Sequence, residues 1–129
     1  MLILLALALA SNQFVLEDDL PLRLRGECIY PPRIVDAAAN DTLLLCDAAL
    51  ADRQGVEFRQ SQWNAGTRFF GEWHGDQLQV TSMRGRTGDA FEARGQCRLY
   101  FAKDDISMIS CTAIGAGRGW VANFRYVRP

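Results

Sequence analysis

The chain has 129 residues, 14 basic and 15 acidic side chains, a formal net charge of −1 and 49% hydrophobic residues. That length makes one domain, large enough to hold a core without a structural metal. The balanced charge excludes a global field that would steer the chain toward nucleic acid, anionic lipid or an acidic substrate. Thirteen of the 14 basic residues are arginine. They run from Arg23 to Arg128 without clustering, a pattern that codon bias explains as readily as phosphate or carboxylate recognition.

Residues 1–10 are wholly apolar and end in Ala8-Leu9-Ala10 ahead of Ser11. An apolar run leading into an A-x-A site reads as a signal peptide, although no Lys or Arg precedes it. Ten residues are too short to cross a hydrocarbon core of ~30 Å. Residues 11–22 read as a flexible leader, and residues 23–129 as a single all-β domain. The four cysteines, Cys28, Cys46, Cys97 and Cys111, agree with export to the periplasm or the extracellular space, where disulfides persist.

In chain order, residues 23–30 form a first strand with Leu22, Leu24 and Ile29 as its apolar positions, stopped by Pro31-Pro32. Residues 34–41 are Ala-rich and end in the turn pair Asn40-Asp41. Residues 42–46 are a continuous apolar run, expected to be a strand buried on both faces. Residues 48–53 either extend it or make one helical turn before Gly55.

From Gly55 onward turn signals recur at the spacing of all-β domains. Residues 56–63 are a strand, Asn64-Ala65-Gly66 a three-residue loop, residues 67–74 the returning strand, and Gly75-Asp76 a two-residue hairpin loop. In residues 77–83, Leu78 and Val80 alternate with Gln77, Gln79 and Thr81, the pattern of a half-buried strand. The loop sets the register: His74 opposite Gln77, Trp73 opposite Leu78, Gly71 opposite Val80 and Phe69 opposite Ser82. Trp73, Phe69, Leu78 and Val80 then form a core face, with Phe70 on the other side.

After the polar connection 84–89, Gly95 inside a strand pattern predicts a bulge. Residues 96–101 and 106–114 form a hairpin about Lys103-Asp104-Asp105. Ala102 is expected opposite Ile106, Tyr100 opposite Met108, Leu99 opposite Ile109 and Cys97 opposite Cys111. Directly opposed residues at a non-hydrogen-bonded pair lie ~4.5 Å apart, a separation a disulfide can bridge. Cys97–Cys111 is the favoured pair, leaving Cys28–Cys46. The glycine-rich turn 115–119 leads to a last strand, 120–127. The expected fold is an antiparallel meander of seven or eight strands, barrel or sandwich, reinforced by disulfides, with an OB-like barrel as the alternative.

Chemistry is sparse. His74, the only histidine, could act as a base beside Glu72 or Asp76, but no serine lies in a G-x-S-x-G elbow and a triad needs a nucleophile. No catalytic residue is assigned. Without C-x-x-C spacing, no metal site is expected, and no cofactor is implied. Asp104-Asp105 and Asp18-Asp19 lack the spaced ligands of a calcium loop. The 115–119 run leads into a strand and not the helix a phosphate loop needs. Asn40-Asp41-Thr42 has the form of a glycosylation sequon.

What remains is a concentration of Arg59, Trp63, Arg68, Phe70 and His74, which reads as a candidate binding face that stacks on sugar, peptide or single-stranded nucleic acid, or as ordinary sheet composition. The functional expectation is an exported, non-catalytic binding module for a protein partner such as a secreted hydrolase. The alternatives are a carrier of a small apolar ligand and a hydrolytic enzyme using His74. No nucleic-acid partner and no membrane span are expected.

Overall fold

The structure is a computed structural model that describes residues 20–37 and 41–127. The expected signal peptide, the leader up to residue 19 and the asparagine of the sequon lie outside the described residues. Nine strands follow one another: β1 (Leu22–Cys28), β2 (Asp41–Leu43), β3 (Ala48–Asp52), β4 (Gly55–Arg59), β5 (Thr67–His74), β6 (Gln77–Arg84), β7 (Phe91–Ala102), β8 (Asp105–Gly115) and β9 (Arg118–Tyr126). Among the described residues, one short helix, α1 (Pro32–Ala37), lies between β1 and β2.

From β3 to β9 each strand pairs with the next as an antiparallel meander. β1 closes the sheet by using its two halves differently. Its first half pairs with β3, Leu22 opposite Ala51 through Arg25 opposite Ala48. Its second half pairs with β9, Gly26 opposite Tyr126 through Cys28 opposite Phe124. The result is an eight-stranded closed barrel with β2 added outside the closure, parallel to β9. The all-β expectation and the barrel alternative are thus observed. The sequential meander replaces the OB-like alternative, whose five strands follow a Greek-key order.

Three two-residue turns set most of the register, each starting on a positive φ: Gly75 (64°), Lys103 (59°) and Ala116 (53°). Such turns match the twist of the strands they join. Of the four pairs expected in the cysteine hairpin, Tyr100–Met108, Leu99–Ile109 and Cys97–Cys111 are observed and Ala102–Ile106 is not. At the tip, Ser107 has no partner, so Phe101 lies opposite Ile106 and Ala102 opposite Asp105, and the turn shortens to Lys103-Asp104. The β5–β6 hairpin shows the same effect. His74–Gln77, Trp73–Leu78 and Gly71–Val80 hold, but Thr81 is an extra residue, and Phe69 faces Met83 and not Ser82. This bulge breaks the alternation of β6, so both Val80 and Met83 are buried.

The bulge predicted at Gly95 has its counterpart here, because the β6–β7 register shifts between Val80 and Ser82, next to the Val80–Gly95 pair. A Cβ on Gly95 would sit 1.9 Å from the Thr112 carbonyl oxygen, and one on Gly71 1.9 Å from that of Gln79. Only glycine lets the wall coil this tightly.

Other expectations are corrected. The strand expected at 56–63 ends at Arg59, and the link to β5 is residues 60–66, not a three-residue loop. The apolar run 42–46 is not buried on both faces: Leu45 is 65% exposed between buried Leu44 and Cys46. Residues 48–52 are a strand of their own. Helix α1 was not anticipated; Pro32 occupies its first position, where the missing N–H costs nothing.

The interior is filled from opposite walls. Phe58 on β4 meets Phe69 on β5 edge-to-face at 6.0 Å, and meets Phe124 on β9 at 6.4 Å. β4 and β9 are separated around the wall by β1 and β3, so the second contact crosses the barrel. Leu78, Met83, Leu99, Ile109 and both Cys97 and Cys111 are fully buried around these rings. The disulfides are Cys28–Cys46 and Cys97–Cys111, the latter across directly opposed residues with Cα atoms 4.0 Å apart.

Non-reducing peptide mapping is expected to recover these two linkages and no crossed pair. Replacing Cys97 and Cys111 by alanine should lower the unfolding free energy by about 3 kcal/mol in urea titration, from the loop the bond closes, while leaving the circular dichroism spectrum of the native barrel.

Candidate binding surface

The outward face of β3–β6 carries a charged row built by register. Leu50, Glu57, Arg68 and Arg84 stand side by side on four successive strands. Glu57 alternates with inward Val56 and Phe58, so it points away from the core, yet it is only 3% exposed. Arginines cover it. Arg59 bonds Glu57 Oε2 through Nε at 2.9 Å and also through Nη2. Arg68 Nε donates to Oε1 at 3.2 Å, and Arg84 Nη2 lies 3.5 Å from the same oxygen.

Arg68 ties this carboxylate to a second one. Its Nη1 and Nη2 donate to Asp52 Oδ1 and Oδ2 at 3.0 and 2.9 Å, a bidentate fork. Asp52 Oδ1 also accepts from the amides of Gln54 and Gly55, which shapes the β3–β4 turn. Phe70, two residues along β5, lies under both guanidinium groups, 5.6 Å from Arg68 Cζ and 5.9 Å from Arg84 Cζ.

Burial alone would raise the carboxyls of Asp52 and Glu57. The hydrogen bonds and charge of Arg68 outweigh it at Asp52, and those of Arg59 and Arg68 at Glu57, so both are held below their ordinary values. Burial works to lower Arg68, but its two carboxylates raise it on balance. The cluster therefore favours the charged forms of Asp52, Glu57 and Arg68, and its two carboxylates fix arginines in place.

The five residues singled out in the sequence fall into three places. Arg59, Arg68 and Phe70 belong to this cluster. Trp63 lies in the 60–66 connection, with Arg86 stacked 4.3 Å from its ring centre. His74 is exposed at the far end of β5, beside the Gly75-Asp76 turn. Glu57, Asp52 and Arg84 were missed. A loop at 64–66 would have set Trp63 opposite Thr67, whereas the observed pair is Phe58–Thr67. That five-residue slip hides the Glu57–Arg68 pair. The cluster could have been found only from the true loop length.

A second surface lies at the end of the cysteine hairpin. β6 reaches along β7 only to Arg98, and β9 meets β8 only from Met108. The hairpin beyond projects past its neighbours, held at its root by the Leu99 amide donating to Asp76 O at 2.9 Å. Tyr100 and Phe101 stand there 43% and 44% exposed, with Arg98 Cζ 5.9 Å from the Tyr100 ring centre.

Among the described residues, no group of three His, Cys, Asp or Glu is placed to hold a metal ion, and no helix is long and apolar enough to cross a membrane. No family model, curated protein or solved structure matches the chain.

Because Asp52 and Glu57 are depressed in the folded protein, their stabilisation is complete above the ordinary carboxylate range, about 4. It is lost as pH falls through the lower folded values. Glu57→Gln should flatten the fall in urea midpoint below that range and cost roughly 3 kcal/mol at neutral pH, because three arginines lose their anion. An unchanged acid profile would contradict the network.

Proposed function

We propose that the chain is an exported, non-catalytic binding module that engages a protein partner through the projecting β7–β8 tip. The observation that carries this reading is the pair Tyr100 and Phe101, adjacent and exposed on a hairpin braced by the buried Cys97–Cys111 bond. Aromatic anchors dominate protein interfaces, and an anchor already held rigid loses less entropy on binding. A projecting hairpin suits a concave partner, and the cleft of a secreted hydrolase is of that kind.

Two further features support the reading. Both disulfides belong to an oxidising environment, which agrees with a periplasmic or extracellular site of action. The Phe58, Phe69 and Phe124 rings occupy the barrel where an apolar cargo would have to sit. His74 stands exposed beside the Gly75-Asp76 turn.

The test uses the immobilised protein to capture partners from the exported fraction of its source. Tyr100→Ala with Phe101→Ala should weaken retention of the partner about tenfold or more, since anchor residues commonly contribute 2 kcal/mol or more, with the melting temperature unchanged. His74→Ala should retain it fully. Equal capture by the tip variant would remove the tip from the interface.

A further inference from the structure

Away from the tip, the outer wall at β1 and β3 carries an open groove of about 1120 Å³ lined by Arg23, Arg25, Glu27, Asp47, Ser61 and Arg125, among others. A second recess of about 450 Å³ shares Arg23, Arg25 and Ala48 with it and continues to Arg59. The register explains the shape. Arg25 lies opposite Ala48 on β3, and Ala48 opposite Arg59 on β4. A methyl group between two long cationic side chains leaves a floor with arginines on either side. Arg23 and Arg25 are one alternation apart on β1 and point outward together, ~7 Å apart along the strand.

Most arginines of this wall are committed: Arg59, Arg68 and Arg84 to Glu57, and Arg125 to Glu27. Arg23 and Arg25 form no ion pair among the described residues and are exposed. Their forked donors suit planar carboxylates. The groove is not uniformly basic, however. Glu27 and Asp47 stand in its walls, Ser61 Oγ donates to Asp47 Oδ2 at 2.8 Å, and Asp47 Oδ1 is buried with no hydrogen-bond partner.

That mixture separates the possible ligands. Phosphate or a polyglutamate segment brings negative charge for Arg23 and Arg25 but no array of hydroxyl groups to donate to Glu27 and Asp47. A uronate-containing polysaccharide brings carboxylates for Arg23 and Arg25 and hydroxyl donors for Glu27 and for the exposed Asp47–Ser61 pair. We infer that this groove binds an acidic polysaccharide through its uronate carboxylates, a ligand independent of any partner held at the hairpin tip.

The probe is a polygalacturonate oligosaccharide, titrated calorimetrically into the whole protein. Binding that weakens with added salt is expected. Methyl esterification of the oligosaccharide, or Arg23→Ala with Arg25→Ala, should reduce affinity about tenfold or more, the loss of charged hydrogen bonds. Both arginines are exposed, and circular dichroism of the variant should match that of the parent. Tyr100→Ala with Phe101→Ala should leave this binding intact, which keeps the result separate from the fate of the tip. No heat of binding, full affinity in the arginine variant, or equal affinity for polyglutamate, inorganic phosphate or phosphatidylglycerol vesicles would overturn the assignment.

Discussion

The fold depends on how β1 divides itself. A meander of seven strands, β3 to β9, leaves two edges, and unpaired edges invite association with other chains. β1 satisfies both at once, with β3 along its first half and β9 along its second. The amides of Gly26 and Cys28 donate to Asp47 O and Cys46 O, while those of Ile29 and Val127 donate across the seam to Asn123 O and Arg25 O. The Cys28–Cys46 bond secures the same seam, and the Tyr30 hydroxyl adds bonds to Leu44 O and Val121 O at 2.6 and 3.1 Å. Burial raises the Tyr30 hydroxyl pKa, so it stays a donor there.

Closure at this radius leaves a filled interior. Rings from β4, β5 and β9 meet along the axis, so the barrel behaves as a packed core. The charged clusters then stand on the outer wall. Glu57 shows the cost and its remedy: a carboxylate on the outer wall, shut off from water, is held below its ordinary value by the guanidinium groups of Arg59 and Arg68. The same register that assembles that network leaves Ala48 low between Arg25 and Arg59. The hairpin tip projects because its neighbouring strands are shorter.

Much of this was legible where the determinants are local. The Cys97–Cys111 pair followed from a short turn and strict alternation, and the β5–β6 pairs followed from Gly75-Asp76. Bulges defeated the same reasoning at Ser107 and Thr81, since a single extra residue carries no signature in a polar position. The 60–66 connection was read too short because Trp63 and the Asn64-Ala65-Gly66 turn signal both look like hairpin residues. Burial of Leu44 with exposure of Leu45, and the parallel docking of β2 on β9, depend on closure, which is a long-range event. The candidate face was half legible: Arg59, Arg68 and Phe70 are together, but the acid that gathers them was visible only once Glu57 stood opposite Arg68.

The seam is therefore the feature to measure. Amide hydrogen exchange followed by NMR should show Cys28, Ile29 and Leu44 protected to a degree close to that of Leu99 and Ile109 in the central hairpin. Rapid exchange at Cys28 and Ile29, with the central hairpin still protected, would mean an open sheet and would contradict a closed, filled barrel.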